Sequence, residues 1–333
     1  MKSFLVLIVF SMIFISCETK KLADEKKLDS TRVSVANKEQ VGDGSINLVL
    51  NPQLGNLYRF ESRLEQKIVQ KMDTVSAETK HNQLIKYTLI PLMKDSLGNF
   101  LFEAKFSEIE QEIHSKLISV SASTKKVSKE PTPLELFYNS LVGKGFRFKV
   151  NNKGRNIQLI GVDSLFNIVI EQLQQRKEFK GVDKALLQQI IGSFFNANEL
   201  RKGFEKLFEV YPDNLVKLGE KWEIQKNVND PIPAKIVNTF TLKSVQIDTL
   251  FVDLVSNIQF EKQKTKENEP KLVELSGKQN GLLIINKVTG LMLSSKLQQQ
   301  ISIIYQVPPS TQTNNKAINI QTKISSNFYL KLY

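Results

Sequence analysis

One pattern early in this chain limits its folding more than any other. Tyr58, Phe60, Leu64, Ile68 and Met72 share one parity, and Arg59, Glu61, Arg63, Glu65 and Lys67 hold the other. Side chains of a strand alternate between faces, so the segment reads as one long strand with a buried face and a charged, wet face. Such a strand needs partners at its edges and a cover for its apolar side. Residues 82–93 and 99–120 supply further strands, joined by the turn Lys94-Asp95-Ser96-Leu97-Gly98. These connections are too short for crossover helices, which predicts an antiparallel meander. His81 falls in the polar stretch Glu78–Asn82 and reads as an exposed turn residue.

The period then changes. Thr132-Pro133-Leu134-Glu135 carries an N-cap, a first-turn proline and a capping-box glutamate, with Leu134, Phe137, Leu141 and Val142 as the apolar stripe and Gly143 as the stop. Phe146, Phe148 and Val150 alternate into a hairpin that turns at Asn151–Gly154 and returns over Arg155–Gly161. Residues 163–210 follow a period of about 3.6, read as three helices with Asp163, Asp183 and Asn198 at the N-caps. Tyr211-Pro212-Asp213 ends this insert. Strand patterning resumes at Lys221 and includes Phe240–Leu242, Thr249–Phe260, Leu282–Asn286, Leu291–Tyr305 and Ile318–Tyr333. Gln263–Pro270 and Pro308–Lys316 read as polar loops. Leu54–Phe60 and Leu218–Ile224 echo one another, each with Leu-Gly, an aromatic three residues after the glycine and an apolar residue two further on. Duplicated β halves and a chance match of a common strand start both explain the echo. The fold class expected is α+β: a large, curved antiparallel sheet, of half-barrel form with two β halves, and a helical insert at about 163–210.

The N-terminus carries an address. Lys2 is followed by an apolar run from Phe4 to Ile15 in which eleven of twelve residues are apolar, then Ser16, Cys17 and the polar Glu18–Lys21. A run this short does not span a bilayer, which takes about 20 residues, but it has the layout of an export signal. Cys17 is the chain's single cysteine. Phe14-Ile15-Ser16-Cys17 resembles the lipobox of bacterial lipoprotein signal peptides, with the small residue before the cysteine in place and Phe14 standing where leucine is usual. The resemblance implies cleavage between Ser16 and Cys17, with diacylation of the Cys17 sulfur (palmitate as the label) and acylation of its amino group. An ordinary secretory signal with an incidental Cys17 is the competing reading; the position of the lone cysteine favours lipidation. The domain plan is then a signal peptide at 1–16, a lipidated terminus and polar tether at 17–44, and a β-rich domain at 45–333.

Composition narrows the chemistry. One cysteine rules out an internal disulfide framework and multi-cysteine metal sites, and two histidines, His81 and His114, leave little for a metal centre. There is no Gly-x-Ser-x-Gly elbow and no phosphate-binding glycine loop. Glu108, Glu110 and Glu112 share one strand face at period two, the mark of a solvated face more than of paired catalytic carboxylates. No catalytic residue, metal or cofactor is assigned, and the expectation is a protein that is not an enzyme. The formal net charge of +12 becomes +11 once cleavage removes Lys2 and no acid. The basic residues are spread along the strands and helices without an aromatic-interleaved cluster, so nucleic acid is not an expected partner.

Leu57–Phe60, Phe146–Val150 with Asn152-Lys153-Gly154, Ile160–Asp163, Tyr211-Pro212, Val216–Trp222 and Thr289–Leu291, in that order behind a lipoprotein signal, resemble an uncharacterised family of envelope lipoproteins from Bacteroidota-type Gram-negative bacteria, a domain of unknown function. The resemblance implies a cell-envelope location, on the outer membrane, and no particular activity. Function reads as binding of an apolar ligand, such as a lipid, or of an envelope partner by a membrane-anchored protein, with Phe194, Phe195, Phe204 and Phe208 enriching the insert. A structural component docking another envelope protein is the alternative, and a hydrolase comes third.

Overall fold

The computed structural model describes residues 44–126, 128–228, 234–260, 270–309 and 316–333. The signal sequence, Ser16, Cys17, the tether as far as residue 43 and most of the loops at 263–270 and 308–316 lie outside the described residues. The first half contributes β1 (Tyr58–Met72), β2 (Val75–Lys94), β3 (Phe100–Ser115), β4 (Ser119–Ser123), α1 (Pro133–Leu141), β5 (Gly145–Val150) and β6 (Gln158–Ile160). Three helices follow, α2 (Val162–Gln174), α3 (Lys184–Gly192) and α4 (Ala197–Phe208). The second half is β7 (Lys221–Val228), β8 (Ala234–Val245), β9 (Thr249–Phe260), β10 (Lys271–Asn286), β11 (Met292–Val307) and β12 (Ile318–Leu332).

All of these strands join one open sheet in the order β6-β5-β3-β2-β1-β12-β11-β10-β9-β8-β7, with β4 also on β3. The α+β reading, a curved antiparallel sheet with helices in the middle of the chain, therefore holds. The path starts at the sheet's centre, walks out to β6, crosses through the helices to β7 and walks back. The first and last strands thus meet in a central seam, from Phe60↔Leu332 to Met72↔Ile320. Two inner-face glycines let the sheet coil tightly: a Cβ on Gly281 would lie 2.1 Å from the Lys296 carbonyl oxygen, and one on Gly277 3.1 Å from Ile258 and Ile301.

Several local expectations need correction. β2 begins at Val75, after a tight turn with Asp73 at φ 50°, so His81 is a mid-strand residue and fully buried. Thr79 and His81 are polar on the inner face, which hid the alternation. The 99–120 strand breaks after Ser115, and β10 reaches back to Lys271. Asp183 caps α3 by accepting from the Ala185 N–H, but Asp163 lies inside α2, whose N-cap is Gly161, and Asn198 lies inside α4. The cap of α4 is Asn196, whose side chain accepts from the Glu199 N–H. The capping box of α1 forms as read. A bulge at Ser107 shifts the pairing between Phe106 and Glu108. It moves the buried parity from Phe102, Ala104 and Phe106 to Ile109, Gln111 and Ile113.

The helices fill the upper part of the concave face. Phe148 stacks between Phe102 (5.0 Å) and Phe204 (4.6 Å), and Phe195 packs edge-on against Phe106 and Phe137. Fully burying a side chain of this kind is worth about 1.5–3 kcal/mol. One end of the sheet is closed by the segment before β1: Ile46 and Val216 exchange backbone hydrogen bonds, Leu50 donates to Asn152 O, and Asn51 to Thr289 O. The fit there is close, since a Cβ on Gly290 would lie 2.0 Å from Val49 O. The echoed segments are alike only locally. Gly55 and Gly219 have φ of 79° and 81°, and each donates to a neighbouring strand carbonyl at 2.8 Å, yet β1 is central and β7 is an edge.

Candidate functional site

Beneath α4 lies a cleft of about 140 Å³ between the helix and β1, β2, β11 and β12. Phe195, Phe204 and Leu207 line it from the helical side, and Tyr87, Leu297 and Phe328 from the sheet. Phe204 is held by the Phe148 stack and by an edge-on contact to Tyr87 at 5.7 Å, so the walls are preformed. Of the insert phenylalanines singled out from the sequence, Phe194, Phe195 and Phe204 reach this cleft; Phe208 instead packs on Phe102 and Phe148.

α4 also brings charge to the edge of this cleft, where Glu199, Lys202 and Lys206 border it, while Glu205 and Glu209 stand on the helix's other flank. Lys202, 3% exposed, bonds Glu199 at 2.9 Å, Arg201 bonds Glu205 at 2.9 Å, and Lys226 pairs with Glu209. Burial raises the Glu205 carboxyl above its ordinary value, against the pull of Lys226, Arg201 and Lys202. The Lys206 ammonium sits 4.1 Å over the Phe328 ring, a cation–π contact. A second space of about 80 Å³ opens on that other flank, bordered by Lys226, Asn238, Gln279 and Gln299.

Those amides belong to a polar band crossing the inner face. Following the register, His81 pairs with Gln66, Gln66 with Ser326, Ser326 with Gln299, Gln299 with Gln279, Gln279 with Ser256 and Ser256 with Asn238. Gln66 donates to Ser326 Oγ at 3.1 Å, and Gln299 to Gln279 Oε1 at 3.3 Å. The band separates the large aromatic core from a second cluster that includes Ile68, Ile258, Ile301 and Ile324. At one end of the band the Tyr138 hydroxyl donates to Gln111 Oε1, which leaves the Gln111 amide N–H to donate to His81 Nε2, 2.9 Å away. His81 is thereby held neutral, and burial pushes its pKa down to about 4. The exposed-histidine reading of His81 is wrong because its side chain faces inward. The band escaped the sequence reading, although its signal was there as the gaps Gln66 and Gln70 in the apolar alternation of β1.

His114 lies on the opposite face, exposed, with Nδ1 2.9 Å from Ser119 Oγ, so the two histidines cannot share a ligand. Glu108, Glu110 and Glu112 stand on the outer side of β3, where Glu108 accepts from Lys86 at 2.9 Å. Among the described residues, no three His, Cys, Asp or Glu side chains gather where they could hold a metal ion. None of the described helices is long and apolar enough to cross a membrane.

Solved structures with some likeness to this fold are remote. Lipovitellin, from a structure concerned with its lipid–protein interactions, is 10% identical with a TM-score of 0.43, over 84% of this chain and 25% of that one; this chain spans about a quarter of its length. An outer membrane channel from Pseudomonas putida F1 is 6% identical with a TM-score of 0.23, over 88% of this chain and 100% of that one. OccK5 (OpdH) of Pseudomonas aeruginosa is 7% identical with a TM-score of 0.22, over 84% and 99%. No curated protein matches in sequence. A family model matches residues 97–292, from the β2–β3 turn through the helices to the start of β11, and the chain belongs to that family, a family of unknown function (DUF6263).

Proposed function

We propose that this chain is a lipid-anchored protein of the cell envelope, on the outer membrane, that holds an apolar group in the cleft beneath α4 and is not an enzyme. The cleft carries the reading: a preformed aromatic and aliphatic space between helix and sheet, with the Lys206 ammonium at its side. Its volume limits the ligand. About 140 Å³ matches a cavity of about 150 Å³ that takes up benzene, and falls short of the roughly 300–1,000 Å³ of a pocket for a drug-sized molecule. The ligand therefore enters by one short apolar arm, with its polar part toward the lysines and amides, and is not engulfed whole. Attachment rests on the sequence at Ser16 and Cys17, and a Cys17→Ala variant that still labels with palmitate and still partitions with membranes would remove it.

Binding is tested by native mass spectrometry of the purified protein before and after delipidation, followed by titration with an apolar fluorescent probe. A protein that purifies empty and takes up no probe would refute the ligand reading. The second reading, a structural component docking an envelope protein, is supported by how completely the phenylalanine core is filled. Recovery of one stoichiometric neighbour by proximity labelling would favour it. Reproducible turnover in a hydrolase panel would overturn the non-enzymatic part.

A further inference from the structure

We propose that the end of the sheet closed by residues 46–51 rests on a lipid bilayer surface, with its turn tips in the interfacial layer. The observation is a row of exposed apolar residues on successive connections along that rim. Leu97 at the β2–β3 turn is 84% exposed, Leu54 before β1 49%, Val288 at the β10–β11 turn 67%, Ile247 at the β8–β9 turn 91%, and Leu218 before β7 63%. In sheet order these positions run from the β3 side to the β7 edge. Turn tips usually carry Gly, Asn, Asp or Ser, whose backbone preferences and short polar side chains suit them. A single exposed leucine needs no explanation, but one at nearly every tip along one rim is left without a role in packing. At the other end, Val75 and Leu117 are the exposed apolar residues at the described turns of the N-terminal half; the β7–β8, β9–β10 and β11–β12 connections there lie largely outside the described residues.

The form of the row favours a bilayer over a protein. Its members are separate points on protruding turns, and a fluid interface can receive each independently. A protein interface would need a contiguous, close-packed centre. Charge agrees. Lys94, Lys217, Lys221 and Lys287 are exposed around the tips, whereas two of the rim acids are engaged, Asp95 by Lys149 and Asp213 by Arg155; Glu220 and Asp248 are the acids facing them. Lysines near an anionic leaflet add attraction over roughly a Debye length. The described chain also enters the fold at this end, where Ile46 pairs with Val216. The inference depends neither on a ligand in the cleft nor on the modification of Cys17.

The test uses the full-length chain as Leu97→Trp, Ile247→Trp and, at the opposite end, Val75→Trp, with vesicles of phosphatidylcholine and a minority of phosphatidylglycerol carrying bromine on their acyl chains. The native Trp222 is buried and contributes the same background to all three. Strong quenching at 97 and 247 with little at 75 is expected; equal quenching at both ends, or none, overturns the proposal. A full-length Leu97→Asp/Ile247→Asp variant, combined with Cys17→Ser so that no acyl chain masks the effect, should partition at least tenfold more weakly than Cys17→Ser alone, with the same melting temperature. Undiminished partition, or vesicle binding that requires an added protein, would sink it.

Discussion

Gly203 lies in the middle of α4 and faces the cleft, and a Cβ built on it meets nothing within 4 Å. Replacing it with leucine should separate stability from binding. In a helix interior glycine costs about 0.8–1 kcal/mol relative to alanine, and leucine recovers most of that, so Gly203→Leu should fold slightly more stably than the parent. If a cavity of about 150 Å³ holds the six carbons of benzene, each heavy atom takes about 25 Å³. Four leucine carbons then claim about 100 Å³ of a cleft of about 140 Å³. Excluding about four carbons of an apolar ligand forfeits about 0.8 kcal/mol for each, or about 3 kcal/mol. That corresponds to binding weaker by a factor on the order of one hundred. The assay is titration of the purified variants with an apolar fluorescent probe, read beside a thermal melt. Gly203→Ala is the companion: it should keep the stability gain and most of the affinity. Unchanged probe affinity in Gly203→Leu would mean that the probe binds elsewhere, and a lowered melting temperature would mean that the space above Gly203 is not open.

Acid should weaken the fold through His81. Its pKa is about 4 folded against 6.5 unfolded, so its contribution is complete above pH 6.5 and is lost as pH falls from there toward 4. The loss is about 3 kcal/mol at the low end, measured by urea unfolding across that range. His81→Gln, which can still accept from Gln111, should flatten this limb. Gly290→Ala forces a Cβ onto the Val49 carbonyl at a φ of 70° and should cost about 1–3 kcal/mol or more; limited proteolysis should then cut within residues 44–52 first. Thr132→Ala removes the N-cap of α1 and should cost about 1 kcal/mol in a denaturant midpoint measurement. A loss under a few tenths would show that neighbouring contacts hold that helix end.

The parts legible in the sequence are those where one local rule acts alone. β1 and β9 have the bounds their alternation predicts, and the α1 capping box is visible because four adjacent residues contain it. Legibility failed where two rules overlapped. Asp163 and Asn198 look like caps by residue type, but Gly161 and Asn196 hold those places, since a cap is fixed by where the chain bends and not by which polar residue is nearest. The bulge at Ser107 reverses the parity of β3 midway, so no single phase fits Phe102 and Ile109 together. The polar band hid for a related reason. His81, Gln66 and Gln279 each look like an interruption in their own strand, and only the register lines them up. The cleft was half visible: the phenylalanines of the insert were conspicuous, but their partners Tyr87 and Phe328 are separated by most of the chain.

The seam between β1 and β12 governs the order of events during folding. Phe60 meets Leu332 and Ile68 meets Ile324 across more than 250 residues, a loop whose closure entropy must be met before the pairing gives anything back. As the chain emerges N-terminal end first, β1 can pair with β2 at once, but its other edge stays bare until residues 318–332 appear. A fifteen-residue strand with an open ladder is a template for any passing strand. The two half-sheets should therefore form early and separately and join late and slowly. The interval before they join is when this protein is most exposed to aggregation and most in need of a chaperone.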